Sequence, residues 1–96
     1  MATAKSVKKL KNHQVSFSIE APGAKQVMLL GDFNNWDPEA HPMKDTGNGV
    51  WEKKMKLAPN QYEYKFLVDG EWKEDPGNEK VCANCFGTLN NVLTLL

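Results

Sequence analysis

The sequence predicts an all-β sandwich built as one domain. Short runs of alternating apolar and polar residues recur along the 96 residues, turn residues separate them at regular spacing, and no segment requires a helix. About seven short strands joined by tight turns form the pattern of two packed antiparallel sheets.

The first dozen residues stand outside this pattern. Lys5, Lys8, Lys9 and Lys11 occur there without an acid or a signal peptide's hydrophobic core, so residues 1–13 are expected to be a flexible Lys-rich tail and residues 14–96 the folded domain. From Val15 the chain alternates, with Val15, Phe17 and Ile19 on one side and Ser16, Ser18 and Glu20 on the other, until Ala21-Pro22-Gly23 ends the strand. Lys25 to Leu30 is apolar on both faces and is expected to be a central strand. Asp37-Pro38 and His41-Pro42 then leave room only for a short edge strand near Met43-Lys44. Val50 to Leu57 turns Trp51, Met55 and Leu57 inward, with Lys53 interrupting the set. Pro59-Asn60 opens a hairpin into Gln61 to Val68, where Tyr62, Tyr64, Phe66 and Val68 share one face and Glu63, Lys65 and Leu67 the other. Asp69-Gly70 is a two-residue hairpin signal, so Glu71 to Asp75 should return antiparallel. After the Asp75-Pro76-Gly77-Asn78 turn, Glu79 to Phe86 is irregular or a weak strand, and Asn91 to Leu96 closes the sheet.

Composition narrows the function. No apolar run approaches the roughly 20 residues of a membrane-spanning helix, and net charge is zero. All twelve basic residues are Lys, so the bidentate contacts by which Arg reads guanine and phosphate are missing and nucleic acid is not an expected partner. Without a secretion signal the expected compartment is the cytoplasm, where Cys82 and Cys85 would be thiols. Their C-x-x-C spacing occurs in zinc ribbons and redox sites. Here only two His elsewhere could complete the four ligands of a zinc site, and no βαβ context accompanies the pair, so no metal and no other cofactor is expected.

Catalysis lacks a constellation as well. No Ser stands in a nucleophile motif, and His13 and His41 fall in a tail and a Pro-flanked loop. A two-carboxylate glycosidase pair is defined by separation in space, which a sequence does not carry, but so short a chain offers little cleft to shift a carboxyl pKa. The reading is a module, not an enzyme.

The three Trp residues divide by position. Trp51 alternates with core residues on a strand. Trp36 follows the polar turn Gly31-Asp32-Phe33-Asn34-Asn35, and is either a surface stacking platform or a lid over one end of the sandwich. Trp72 lies just past a hairpin turn. Indole faces left open in such places suit the C–H face of a pyranose ring, whose hydroxyls need directional partners such as Asn and Lys.

Three stretches in order make this specific: Gly31-Asp32-Phe33-Asn34-Asn35-Trp36, Tyr64-Lys65-Phe66-Leu67-Val68-Asp69-Gly70-Glu71-Trp72, and Gly87-Thr88-Leu89-Asn90-Asn91. Together they resemble the glycogen-binding domain of AMP-activated protein kinase beta subunits, within carbohydrate-binding module family 48, which includes the amino-terminal domains of isoamylases and branching enzymes. The resemblance covers Val15 to Leu96. It implies an immunoglobulin-like (early-set) β-sandwich without catalytic residues that recognises α-1,4-glucan as glycogen, starch or maltooligosaccharide. By position, Trp36 and Trp72 match the stacking indoles, Lys65 and Asn90 the hydroxyl-binding residues, and Thr88 a further polar contact. Phe86 stands where the kinase subunits commonly carry an aliphatic side chain. Some members lack sugar binding and serve as scaffold or protein-interaction domains, which is the alternative reading. The resemblance also implies a glycogen-metabolising enzyme or kinase complex as partner.

Overall fold

A computed structural model describes residues 12–84 and 86–95. The tail expectation for residues 1–13 falls almost wholly outside them. Among the described residues, eight strands form two antiparallel sheets: β1 (His13–Glu20), β2 (Val27–Gly31), β3 (Lys44–Asp45), β4 (Val50–Leu57), β5 (Asn60–Val68), β6 (Glu71–Lys73), β7 (Val81–Ala83) and β8 (Leu89–Leu95). The smaller sheet runs β1-β4-β3. The larger runs β2-β5-β8-β7, with β6 paired to the far end of β5.

Period-two patterning places the core between the sheets. Phe17, Ile19, Trp51 and Leu57 from the three-stranded sheet meet Val27, Leu29, Tyr64 and Phe66 from the five-stranded one, and Met43 joins them. Aromatic edges interlock there: Phe17 lies 5.0 Å from Tyr64 at 73°, and Tyr64 lies 5.9 Å from Phe66 at 78°. The Tyr64 hydroxyl escapes an unpaired burial by donating to Asp75 Oδ2 (2.7 Å) and accepting from Asn78 Nδ2 (3.1 Å). Burial, with Asp75 beside it, raises its pKa. Asn91 is completely buried on the same side. Its amide holds the adjacent turn by accepting from Asp75 N (2.6 Å) and donating to Asn78 O (3.0 Å).

Several boundaries differ from the sequence expectation. The first strand begins at His13 rather than Val15. β2 begins at Val27 and ends its ladder instead of lying at the centre of the sheet. Its free edge is covered by irregular chain: Leu29 N donates to His41 O (3.0 Å), Met43 N donates to Val27 O (2.8 Å), and Met28 bridges Pro42. Pro42 has no N–H to extend that bridge into a strand, which is why an apolar pattern on both faces did not mean two strand neighbours. β6 spans only three residues, since the Asp75 N–H is taken by Asn91. β8 starts at Leu89, so Asn90 lies inside the last strand. One short 3-10 turn, Asp32–Asn34, follows β2.

Candidate functional site

The side of the five-stranded sheet facing away from the core gathers all six residues singled out in the sequence or lies beside them. Alternation along β5 puts Glu63, Lys65 and Leu67 on this side, and the register sets Leu30 opposite Lys65 and Trp72 opposite Leu67. Asn90 and Cys82 face each other across β7 and β8.

Two turns aim the indoles. After β2, Gly31 is extended and tightly enclosed: a Cβ there would come within 2.6 Å of the Glu63 carbonyl oxygen and 2.8 Å of the Phe33 ring. Asn34 then braces the turn, its Oδ1 accepting from Gly31 N (3.1 Å) and its Nδ2 donating to Leu29 O (2.9 Å) and His41 Nδ1 (2.8 Å). Asn35 and Trp36 both adopt left-handed backbone, with φ of 56° and 57°. Such a conformation is uncommon for Trp and persists only where neighbours enforce it. Trp36 N donates to Gly31 O (3.0 Å), and its ring Nε1 donates to Asp32 Oδ1 (3.0 Å), while Asp32 Oδ2 accepts from Glu63 N (2.8 Å). The ring is thus fastened to β5.

Trp72 is delivered by the hairpin. Asp69 and Gly70 have φ of 48° and 85°, the pair of positive values that a primed turn needs. The Asp69 carboxylate also accepts from Lys25 N and Gln26 N (2.9 and 2.8 Å), tying this turn to the start of β2. Trp72 is 51% exposed, and its ring lies 6.4 Å from that of Trp36 at an interplanar angle of 61°.

Beside the indoles runs a chain of polar groups. Alternation puts Lys65 on the face opposite Tyr64 and Phe66, which predicts an exposed side chain; it is instead only 6% exposed. Trp72 and Thr88 cover it: the ammonium lies 5.9 Å from the Trp72 ring centroid and donates to Thr88 Oγ1 (3.1 Å). Asn90 Nδ2 donates to Glu63 Oε1 (3.0 Å), and Asn84 joins Asn90 to Thr88. Phe86, 86% exposed, projects from the same β7–β8 connection.

Sequence reasoning missed the supporting groups Asp32, Glu63, Asn84 and His41. Asn84 bonds only to residues two to six positions away, a turn signal the sequence carried, whereas Asp32 and Glu63 act through contacts across 31 and 27 residues that only the fold creates. Burial, reinforced by the charge of Lys53 and opposed by Asp37, lowers the His41 pKa. The Cys82 thiol is pushed up, first by burial and then by its hydrogen bond to Glu63, which keeps its thiolate scarce near neutrality. The reading of Cys82 and Cys85 as a pair involves a residue outside the described ones. Among the described residues no three His, Cys, Asp or Glu side chains converge as a metal site requires. A surface groove along Ile19 to Ala24, Val68 and Pro76 is lined by none of the six candidates.

A family model described as the glycogen recognition site of AMP-activated protein kinase matches residues 13–96. Protein PTST homolog 2, chloroplastic, of Arabidopsis thaliana is 42% identical over 72 residues, which are 75% of this chain and 13% of that protein. The 5'-AMP-activated protein kinase subunit beta-1 of Sus scrofa is 39% identical over 71 residues, 74% of this chain and 55% of the subunit. The 1,4-alpha-glucan branching enzyme GlgB 2 of Xanthomonas campestris is 37% identical over 54 residues, 56% of this chain and 7% of the enzyme. The chain therefore spans little more than half of the kinase subunit and a small part of the other two. With a match that begins at the first strand and runs through the last, the chain belongs to the carbohydrate-binding family of the AMP-activated protein kinase glycogen recognition site.

Proposed function

We propose that this domain binds an α-1,4-linked glucan without acting on it, through Trp36, Trp72, Lys65, Thr88, Asn90 and Phe86. The observation that carries the reading is the pair of indoles inclined at 61° beside the Lys65-Thr88-Asn90 polar chain. Two inclined platforms cannot both lie against one flat ring. They suit successive pyranose units that turn relative to each other, as in a curved α-glucan, while the adjacent N–H and O–H groups supply the directional contacts that sugar hydroxyls need. Similarity to a kinase subunit and a branching enzyme supports a place beside a glucan-metabolising enzyme or kinase complex.

Titration calorimetry with maltoheptaose, together with retardation by glycogen in a native gel, tests the reading. Trp36→Ala and Trp72→Ala should each weaken binding by about 1–3 kcal/mol, the range for aromatic stacking on flat ligands, with little loss of stability. If both variants bind like the parent but melt far lower, the indoles are structural and a protein-interaction scaffold replaces the sugar module.

A further inference from the structure

Asn84 is not among the six residues proposed to touch the sugar, yet its side chain is the most fully used on that face. Oδ1 accepts from Phe86 N (2.9 Å) and Thr88 N (3.1 Å); Nδ2 donates to Thr88 Oγ1 (2.7 Å) and Asn90 Oδ1 (3.0 Å). Both lone pairs and both hydrogens of the amide are engaged. The orientation is fixed, because the two backbone N–H groups only donate and must face the oxygen. Asn90 is fixed in turn: Glu63 Oε1 receives its Nδ2, leaving its Oδ1 toward Asn84.

The consequence falls on Thr88. Its hydroxyl oxygen receives two donors, Lys65 Nζ (3.1 Å) and Asn84 Nδ2 (2.7 Å), which occupy both lone pairs. The remaining Thr88 function is its O–H hydrogen. Asn90 is less constrained: one lone pair of its oxygen goes to Asn84 and one Nδ2 hydrogen to Glu63, which leaves it one acceptor and one donor.

We propose that Asn84 is a positioning residue that sets the polarity of the sugar site at Thr88, so that the Thr88 hydroxyl meets the glucan as a hydrogen-bond donor and the sugar oxygen there acts as acceptor. This inference rests on the glucan-binding reading. It adds a direction to the Thr88 contact and a residue outside the contact set.

The test is Asn84→Asp, nearly isosteric. The carboxylate still accepts from the Phe86 and Thr88 N–H groups but places an acceptor where Nδ2 stood. The Thr88 hydroxyl then turns inward to donate, and Asn90 loses its partner. Maltoheptaose affinity should fall roughly tenfold, the worth of one or two net hydrogen bonds, when measured well below the melting temperature of the variant. As pH is lowered below about 3, under the ordinary aspartate value of about 3.9, the side chain protonates and donates again, so the ratio of variant to parent affinity should recover. A merely structural role would not produce that recovery. Asn84→Asp binding like the parent, or a deficit indifferent to pH, overturns the inference while leaving glucan binding intact. Failure of the parent to bind removes both.

Maltooligosaccharides with single hydroxyls replaced by fluorine or by hydrogen provide a second measurement on the unaltered protein. Fluorine accepts weakly and does not donate, so at the position contacting Thr88 the fluoro compound should lose less affinity than the deoxy compound. Equal losses at every position overturn the inference even if Asn84→Asp does not fold.

Discussion

Three indoles of the same size do different work because of what surrounds each ring. Trp51 is 9% exposed within the core, and its Nε1 donates to Ala21 O (3.2 Å), so the ring fills volume between the sheets and ties β4 to the loop after β1. Trp36 and Trp72 lie on the opposite side of the larger sheet, and the latter leaves half its surface to solvent. Trp51→Ala should therefore open a core cavity and lower stability by about 3–5 kcal/mol, a large share for a domain of this size. Urea unfolding measures that loss. Calorimetry on the fraction still folded should give the parental glucan affinity, in contrast to Trp36→Ala and Trp72→Ala.

The turn between β2 and β3 shows how an element can carry a pH dependence that no single residue reveals. Asn34 is oriented by two backbone groups, since Oδ1 must face the Gly31 N–H and Nδ2 the Leu29 carbonyl. Its remaining hydrogen therefore points at His41 Nδ1, which must accept and leaves the ring proton on Nε2. Protonation would set two donors against each other. Burial and Lys53 oppose that protonation, Asp37 favours it, and the net effect lowers the pKa below its ordinary 6.5. The unfolded chain then takes the proton first, so stability is full above pH 6.5 and declines as pH falls below it toward the lowered folded value. Thermal melts at about pH 7.5 and 5.5 should show this decline, and His41→Gln, whose amide oxygen accepts from Asn34, should flatten it. An unchanged slope in the variant would separate His41 from the effect. This element was half legible in the sequence. The Asn and Pro residues announced a turn that ends in Trp36, because local turn chemistry is written in neighbouring residues, but left open whether the ring is a platform or a lid; it is half-buried. The clasp of Asp32 on β5 was not legible, because the fold brings Glu63 to it across 31 residues, and the brace from His41 was not, because a separation of seven residues exceeds the two to four over which turn chemistry acts. For the same reason β5 and its Asp69-Gly70 turn were readable, whereas Lys65 was misjudged: alternation gives the side of a sheet on which a residue lies, but not what folds over it.

At the scale of the whole molecule, the core occupies one side of the five-stranded sheet and the candidate site the other, so β5 serves both through alternate residues. Tyr64 and Phe66 hold the sandwich together, while Glu63 and Lys65 support the outer face. The electrostatics of that face suit a neutral ligand. The chain has twelve Lys against twelve acidic residues, and the ammonium of Lys65 is spent on Thr88 and the Trp72 ring instead of standing free as a point charge. The surface ion pair between Lys73 and Glu71, at 3.8 Å and largely exposed, has little energetic weight in water. Binding should therefore depend on stacking and hydrogen bonds at short range, which salt hardly screens, and not on fields that decay over a Debye length of about 10 Å at 0.1 M. Between 50 and 200 mM salt, a protein held by six or more phosphate contacts would lose about a thousandfold in affinity, whereas maltoheptaose affinity here should change less than about threefold. Calorimetry at the two salt concentrations decides the matter: a collapse of affinity would mean that charge, not the inclined indoles and their polar neighbours, holds the ligand.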